Sequence, residues 1–310
     1  MKKGYENTGF EQSHAASGMA PVRHVRNYRG FVFAKINDGG LDFEEFFGES
    51  LSSFDNMIDR SPAGQLKVAG GVLRYMHNCN WKMRVENQTD TCHPMVAHES
   101  SAGTVVEVWK KAPPVTKKPM AVEIIAPFMS PYEFFENMGI RIWDNGHGHT
   151  GVHHSIHSDY SAVPGYFDKM KAAYGEERAK AILGENRHNT VYFPNIMIKG
   201  PIQLLRHFKP IAANKTLVES WTFQLVDAPD MLLERTLMYN RPTSIVGHDD
   251  LEMYERAQEG LHSNGNEWVN LQRLYSPDEA GQTNVAVNGT SEWPMRHQYR
   301  AWTKFMTMGM

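Results

Sequence analysis

The sequence predicts an α+β fold, an antiparallel sheet wrapped around a long helix, on three observations. Strand-like runs give way to helical periodicity and then return; three consecutive runs between Thr190 and Val226 alternate in the manner of antiparallel strands; and one long segment, Pro164–Leu183, has a clear amphipathic helical pattern. The first 27 residues are polar and irregular, punctuated by Gly18 and Pro21. Arg29–Ile36 then reads as a strand closed by Asn37-Asp38-Gly39-Gly40. Leu41–Met57 places Phe43, Phe46, Phe47, Leu51 and Phe54 at helical spacing, Gln65–His77 is strand-like, and Trp81–Ala97 is helical along Trp81, Val85, Gln88 and Cys92. Val105–Phe128 reads as two apolar strands split by the Lys-Pro loop Lys110–Pro119, and Ile140–Ile156 as a strand pair around a glycine-rich turn. Gly184 ends the amphipathic helix. The strands Thr190–Ile198, Gln203–Pro210 and Leu217–Val226 follow, then helices over Met231–Tyr239, Asp249–Glu259 and His297–Met308.

With 310 residues the chain can bury a large core, and 18 methionines and seven tryptophans suit an adaptable apolar interior. The formal net charge of −3, with both signs interspersed, gives no footprint for nucleic acid or an anionic membrane. No run reaches the apolar length of a membrane span, and the charged start Met1–Asn7 lacks the apolar stretch of a secretion signal. Two cysteines, Cys79 and Cys92, argue against a disulfide framework and fit a reducing cytoplasm. There is no internal repeat.

The chemistry concentrates in Asn80–His98. His93 and His98 are five positions apart, which on an undistorted helix points the rings about 140° apart, so a shared metal requires the helix to open between them. Pro94, lacking an N–H and disfavouring helical geometry at His93, provides the means. Asp90, one turn before His93, can accept that ring's second proton. Two imidazoles and one carboxylate hold a ferrous ion on one face and leave the opposite positions open. In a chain with fifteen histidines such a pair also arises by chance, as His149 and His154 do, so a distant carboxylate is required. Asp249-Asp250, at a predicted helix start, is the candidate; the helix dipole alone would also favour acids there.

Asn80-Trp81-Lys82, Glu86-Asn87 and Asp90-x-x-His93-x4-His98 together resemble the signature of the Rieske non-haem iron ring-hydroxylating oxygenases, large (α) subunit, catalytic domain. Tyr28–Phe33, Asn145–Gly148, Phe193-Pro194-Asn195, His248–Glu252 with Gln258-Glu259-Gly260, and Arg300-Ala301-Trp302 agree in order and spacing, so the resemblance spans nearly the whole chain. It implies the helix-grip fold (START/Bet v 1-like) and Fe(II) bound by His93, His98 and Asp250. It implies Asp90 as the carboxylate bridging to a Rieske [2Fe–2S] cluster in a neighbouring subunit, and Asn87 beside the iron. Gln88, Met95, Val96 and Asn195 are expected pocket residues from their placement near the ligands; core packing would serve Met95 and Val96 equally.

The expected partners are an aromatic substrate with O₂, a Rieske protein or ferredoxin/reductase as electron donor, and an α trimer with or without a small β subunit. No C-x-H…C-x-x-H pair for the cluster is present, so residues 1–60 read as the segment following a Rieske domain and 61–310 as the catalytic domain, the donor residing on a missing domain or separate polypeptide. By itself such a chain would turn over poorly with O₂. The rival reading is a non-catalytic helix-grip ligand-binding or assembly subunit with a vestigial metal site. A zinc hydrolase is disfavoured because no H-E-x-x-H motif occurs. His147, His149, His153, His154 and His157 crowd one turn, as a second metal site or as solvent-facing residues needing no ligand role.

Overall fold

The computed structural model describes residues 3–10, 13, 18–157, 159–160, 163–241, 246–263, 265 and 267–308; Met1 and Lys2 of the charged start lie outside them. Two compact units divide between Glu45 and Phe46. The first contains a hairpin of β1 (His24–Tyr28) and β2 (Phe31–Lys35). Arg29 and Gly30, expected within a strand, form its two-residue turn, both with positive φ, and the N–H of Gly30 donates to Asn27 Oδ1 at 2.9 Å. β1 lies in the stretch expected to be irregular, because its polar sequence, HVRNY, carries no alternating apolar signal.

Helix α1 (Phe43–Phe47) and, after a 3₁₀ turn at Gly48–Leu51, helix α2 (Ser52–Asp59) replace the single helix expected there. α2 buries Phe54, Met57 and Ile58, so residues 46–60, assigned by sequence to the leading segment, pack within the second unit. Strand β3 (Leu66–His77) follows, with a bulge where Gly70 and Gly71 take positive φ. A Cβ on Gly70 would come within 2.7 Å of Leu237.

Next come α3 (Trp81–Thr89), α4 (Pro94–Ala97), α5 (Glu99–Lys110), α6 (Met120–Ile125) and α7 (Tyr132–Met138). The strands expected in Val105–Phe128 are therefore helices: Ala102, Val105, Ile124, Ile125 and Phe128 share one apolar cluster, and tertiary burial overrides the β-propensity of the valine-rich run. β4 (Ile140–Ile142) and β5 (Gly148–Thr150) are the expected strand pair. The amphipathic segment is two helices, α8 (Tyr166–Tyr174) and α9 (Glu176–Gly184), broken at Gly175 with φ +78°. β6 (Thr190–Tyr192), β7 (Ile196–Lys199), β8 (Leu204–Ala212) and β9 (Lys215–Leu225) follow, then α10 (Asp230–Asn240), α11 (Gly247–Gly260), β10 (Val285–Val287) and α12 (Trp293–Thr307).

Among the described residues eight strands form one antiparallel sheet in the order β10-β4-β5-β6-β7-β8-β9-β3. The inner face of the sheet (Val191, Met197, Leu204, Phe208, Val218) packs on Trp81 and Val85 of α3 and on Ala301 of α12, with Trp302 and Phe305 closing the edge. This is the expected sheet around a helix, with α3 seated beside it. No helix among the described residues is long and apolar enough to cross a membrane.

One polar contact anchors α12. Glu279 is buried and its carboxylate pairs with Arg296, with the Arg300 guanidinium 3.6 Å away, while Ser276 and Glu279 cap the short turn between them. Glu279→Gln leaves the largely buried Arg296 guanidinium without its carboxylate, the more exposed Arg300 losing only a longer contact. Breaking a buried pair costs about 3 kcal/mol, roughly 8 °C in melting midpoint for a unit of this size. Thermal unfolding followed by circular dichroism checks this, and an unchanged midpoint would refute it.

Candidate metal centre

Asn80 opens α3, its side chain accepting the Lys82 N–H at 3.1 Å. The helix ends because Asp90 turns extended, φ −81° and ψ 121°. His93 itself is helical, and Pro94 sits at the first position of α4, where a missing N–H costs nothing. The helix is broken before His93, at Asp90, and between the two histidines the backbone departs from helical geometry at His98 (φ −102°, ψ 5°) and not at the His93–Pro94 junction. The ring centroids of His93 and His98 come to 5.2 Å with planes 79° apart.

α11 delivers the third group. Asp249 and Asp250 occupy its first turn, where the dipole favours carboxylates. Asp250 Oδ1 lies 3.8 Å from His93 Nε2 and 3.6 Å from His98 Nε2, and one donor atom from each of the three residues lies within 4.8 Å of the others. Among the described residues no other group of histidine, cysteine, aspartate and glutamate side chains has this geometry. Two nitrogens and one oxygen on one side of a point suit a divalent ion bound facially.

A ring of contacts fixes these groups. Asp249, the other acid of the pair, reaches His98 Nδ1 at 3.2 Å and accepts from Ser101 at 2.9 Å. Asn87 Nδ2 lies 3.1 Å from His93 Nε2 and 3.3 Å from Asp250 Oδ1, while its oxygen accepts from Arg84 at 2.7 Å and Gln88 at 2.8 Å. Arg84, buried, also donates to Tyr254 at 2.7 Å. Asp90 stands 3.6 Å from His93 Nδ1, an ion-pair separation longer than a hydrogen bond, and its other oxygen accepts the Cys92 N–H at 2.9 Å. Burial opposes ionisation of Asp90, but His93, the Cys92 N–H and Arg273 outweigh it and hold the carboxyl below its ordinary value. His93 is pushed the other way: burial works against its charge, and Asp90 and Asp250 more than restore it.

A cavity of about 70 Å³, open to solvent on one side, adjoins the triad. Phe128, Phe135, Met138, Ile156 and Val246 supply its apolar wall; Gln88, Arg84, His188 and Arg206 its polar one. Of the four residues expected there, Gln88 lines it and the others do not: Val96 is 76% exposed, Met95 is half-buried on α4, and Asn195 hydrogen-bonds His207 on the far side of a strand turn. Proximity in sequence to a ligand does not fix direction, and α4 turns Met95 and Val96 away from the cavity. Ser101, Arg84 and Arg206 were not singled out by sequence, since each reaches the site from a different element; Asp249, named with Asp250 as the candidate acid pair, contacts His98 Nδ1.

The crowded histidines form no second metal cluster among the described residues. Nor do they all face solvent. His147, His149 and His157 are buried, each with its own partner: the carbonyls of Phe46, Thr150 and Ile124 respectively.

A profile of the family "Ring hydroxylating alpha subunit (catalytic domain)" matches residues 67–308. The large subunit of 2-halobenzoate 1,2-dioxygenase of Burkholderia cepacia is 28% identical over 253 residues, covering 80% of this chain and 52% of that protein. The α subunit of toluate 1,2-dioxygenase of Pseudomonas putida is 26% identical, covering 84% and 56%. The chain thus spans about half the length of these curated relatives. Among solved structures, naphthalene 1,2-dioxygenase from Rhodococcus sp. bound to indole superposes with TM-score 0.68 at 20% identity, over 98% of this chain and 70% of that one. At that identity the likeness speaks to the fold, the expected α+β helix-grip. With the profile covering most of its length, the chain belongs to the ring hydroxylating alpha subunit (catalytic domain) family.

Proposed function

We propose that this chain is the oxygenase part of an aromatic-ring-hydroxylating enzyme, with His93, His98 and Asp250 holding Fe(II), using O₂ to dihydroxylate or monohydroxylate an aromatic substrate. The convergence of those three side chains on one point beside a cavity with an apolar wall carries the reading. The donor set fits the ion: two imidazoles and a carboxylate on one face are the ligands a non-haem ferrous site takes, leaving the other face for O₂ and substrate. Bound there, Fe(II) would supply the one-electron chemistry that activates O₂.

The chain's own residues do the remaining work. Asp249 holds the Nδ1 side of His98, leaving Nε2 toward the ion. The Asn87 amide, clamped by Arg84 and Gln88, steadies Asp250 and the His93 ring edge. Phe128, Phe135 and Met138 exclude water from one side of the cavity and offer a flat apolar seat for a ring. Asp90 sits behind His93, on the side away from Asp250, where it can couple the site to an electron donor. We assign that donor to a Rieske [2Fe–2S] cluster outside this chain, fed by a ferredoxin or reductase, in an assembly built on an α trimer with or without a β subunit.

Hydrogen peroxide supplies both oxygen atoms and both oxidising equivalents, so it bypasses the donor. Iron-loaded chain given oxygen-labelled peroxide and a panel of one-ring aromatics is expected to form hydroxylated product carrying the label, detected by mass spectrometry. Label-free background with iron bound would overturn the oxygenase reading and favour a binding or assembly subunit.

A further inference from the structure

Two guanidiniums line the cavity that adjoins the triad. Arg206, on β8, lines it, and its Nε is buried with no hydrogen-bond partner in the protein. Arg84 lines it from α3, also with a buried, unpartnered Nε. His188 edges the same cavity, and directly behind its ring Lys199, 1% exposed, donates from Nζ to His188 Nε2 at 2.7 Å. Ammonium and guanidinium groups are almost never buried without a paired anion.

The anions here are already engaged. Two carboxylates line the cavity. Asp90 faces His93 and Arg273, and Asp250 faces both triad imidazoles, with Arg84 4.0 Å away. Arg206 and Lys199 make no ion pair among the described residues; both lie over the Tyr239 ring, its centroid 6.0 Å from the Arg206 guanidinium and 5.0 Å from Lys199 Nζ. A cation–π contact recovers only part of what a buried cation loses on leaving water. Burial first, then the Arg206, Arg84 and Arg235 guanidiniums, push the Lys199 ammonium well below its ordinary value, as expected of a positive field with no counter-charge. A divalent ion in the triad would make the cavity more positive still.

Resting on the function proposed above, we infer that the cavity takes an aromatic ring bearing an anionic group, a ring carboxylate, with Arg206 as its direct partner and the Arg84 guanidinium adding to the field. The ring then lies against Phe128, Phe135 and Met138, and the carboxylate replaces the water lost by the cations. Arg206 is a specificity residue in this arrangement: it selects which rings enter and takes no part in the chemistry at the metal.

The test is calorimetric, on the chain loaded with iron under anaerobic conditions and on the iron-free chain, with benzoate and its neutral near-isostere benzamide as probes. Benzoate is expected to bind about tenfold or more tightly than benzamide, the discrimination given by a charge-assisted hydrogen bond. Arg206→Gln is expected to remove most of that ratio by weakening benzoate and leaving benzamide unchanged, and Arg206→Lys to restore part of it. The wild-type ratio needs no variant to fold. Equal binding of the two probes would overturn the anionic assignment while leaving an aromatic pocket standing. Absence of binding by both, with iron held, would overturn both.

Discussion

Asp250→Ala removes iron from the chain. Wild-type protein loaded anaerobically is expected to retain about one Fe(II) per chain after desalting, and Asp250→Ala and His93→Ala close to none, since a facial site with a ligand deleted has two protein donors left. The geometry makes Asp250 the sharper test. Its Oδ1 is the one carboxylate oxygen among the described residues within 4 Å of both Nε2 atoms, and it enters from a helix far from the histidines in sequence. Asp249→Asn separates ligand from support: it keeps the triad and loosens His98, so affinity should fall about 10- to 100-fold without vanishing. Far-ultraviolet circular dichroism confirms that each variant is folded. Full occupancy in Asp250→Ala would mean the third ligand lies elsewhere, and an iron-free wild type would end the oxygenase reading.

Mild acid is expected to unfold the second unit. His77, His147, His149, His157 and His188 are all buried. Burial is the leading cause in each case: it lowers His77 to about 2 and His147 and His149 to about 3, and holds His157 and His188 well below the ordinary value. The hydrogen bonds agree. His147 Nε2 donates to the Phe46 carbonyl at 2.8 Å while Nδ1 accepts the Phe193 N–H at 3.0 Å, so a proton on Nδ1 would set N–H against N–H. These folded values lie below the unfolded value near 6.5, so the associated stability is complete above about pH 6.5 and is lost as pH falls, because only the unfolded chain takes up the protons. Between pH 7 and 5.5 each site costs about 1.2 kcal/mol, and the group about 6 kcal/mol, comparable to the whole stability of many domains. Tryptophan fluorescence and circular dichroism against pH should show cooperative unfolding with a midpoint near pH 5 to 5.5. Retention of the native signal at pH 4.5 would refute it. Chelated, iron-free protein should show the same midpoint shape, which separates this effect from loss of a metal.

The sheet and the metal centre were legible in the sequence to different depths. Alternation marks β8 and β9 because one face of each is buried, as in β9, where Thr216, Val218, Ser220 and Thr222 all point inward. The same reasoning misread Val105–Phe128, where the helical spacing of Ala102, Val105 and Trp109 was outweighed by β-branched neighbours, and it missed β1, a polar strand with no apolar face to announce it. His93, His98 and the acid pair stood out because their spacing is local or tied to a helix start. Arg206, Lys199 and His188 did not. They sit on separate strands and loops, and their shared wall exists only once β7 pairs β8 and carries them to one side of α3. Charge that is unremarkable along the chain becomes informative when burial removes the water around it.

The order in which the chain leaves the ribosome has a bearing on all of this. The inner face of the sheet is covered partly by α3 and partly by α12, so strands made as early as residue 190 wait for residues 293–307 before that covering is complete. Contacts that distant in sequence form late and slowly. During synthesis the cluster of Val191, Met197, Phe208 and Val218 lacks its α12 cover for the time taken to translate roughly a hundred residues, several seconds at least. Chaperone occupancy of nascent chains should therefore peak between the emergence of β9 and that of α12, and chains stalled before residue 293 should aggregate where full-length ones do not.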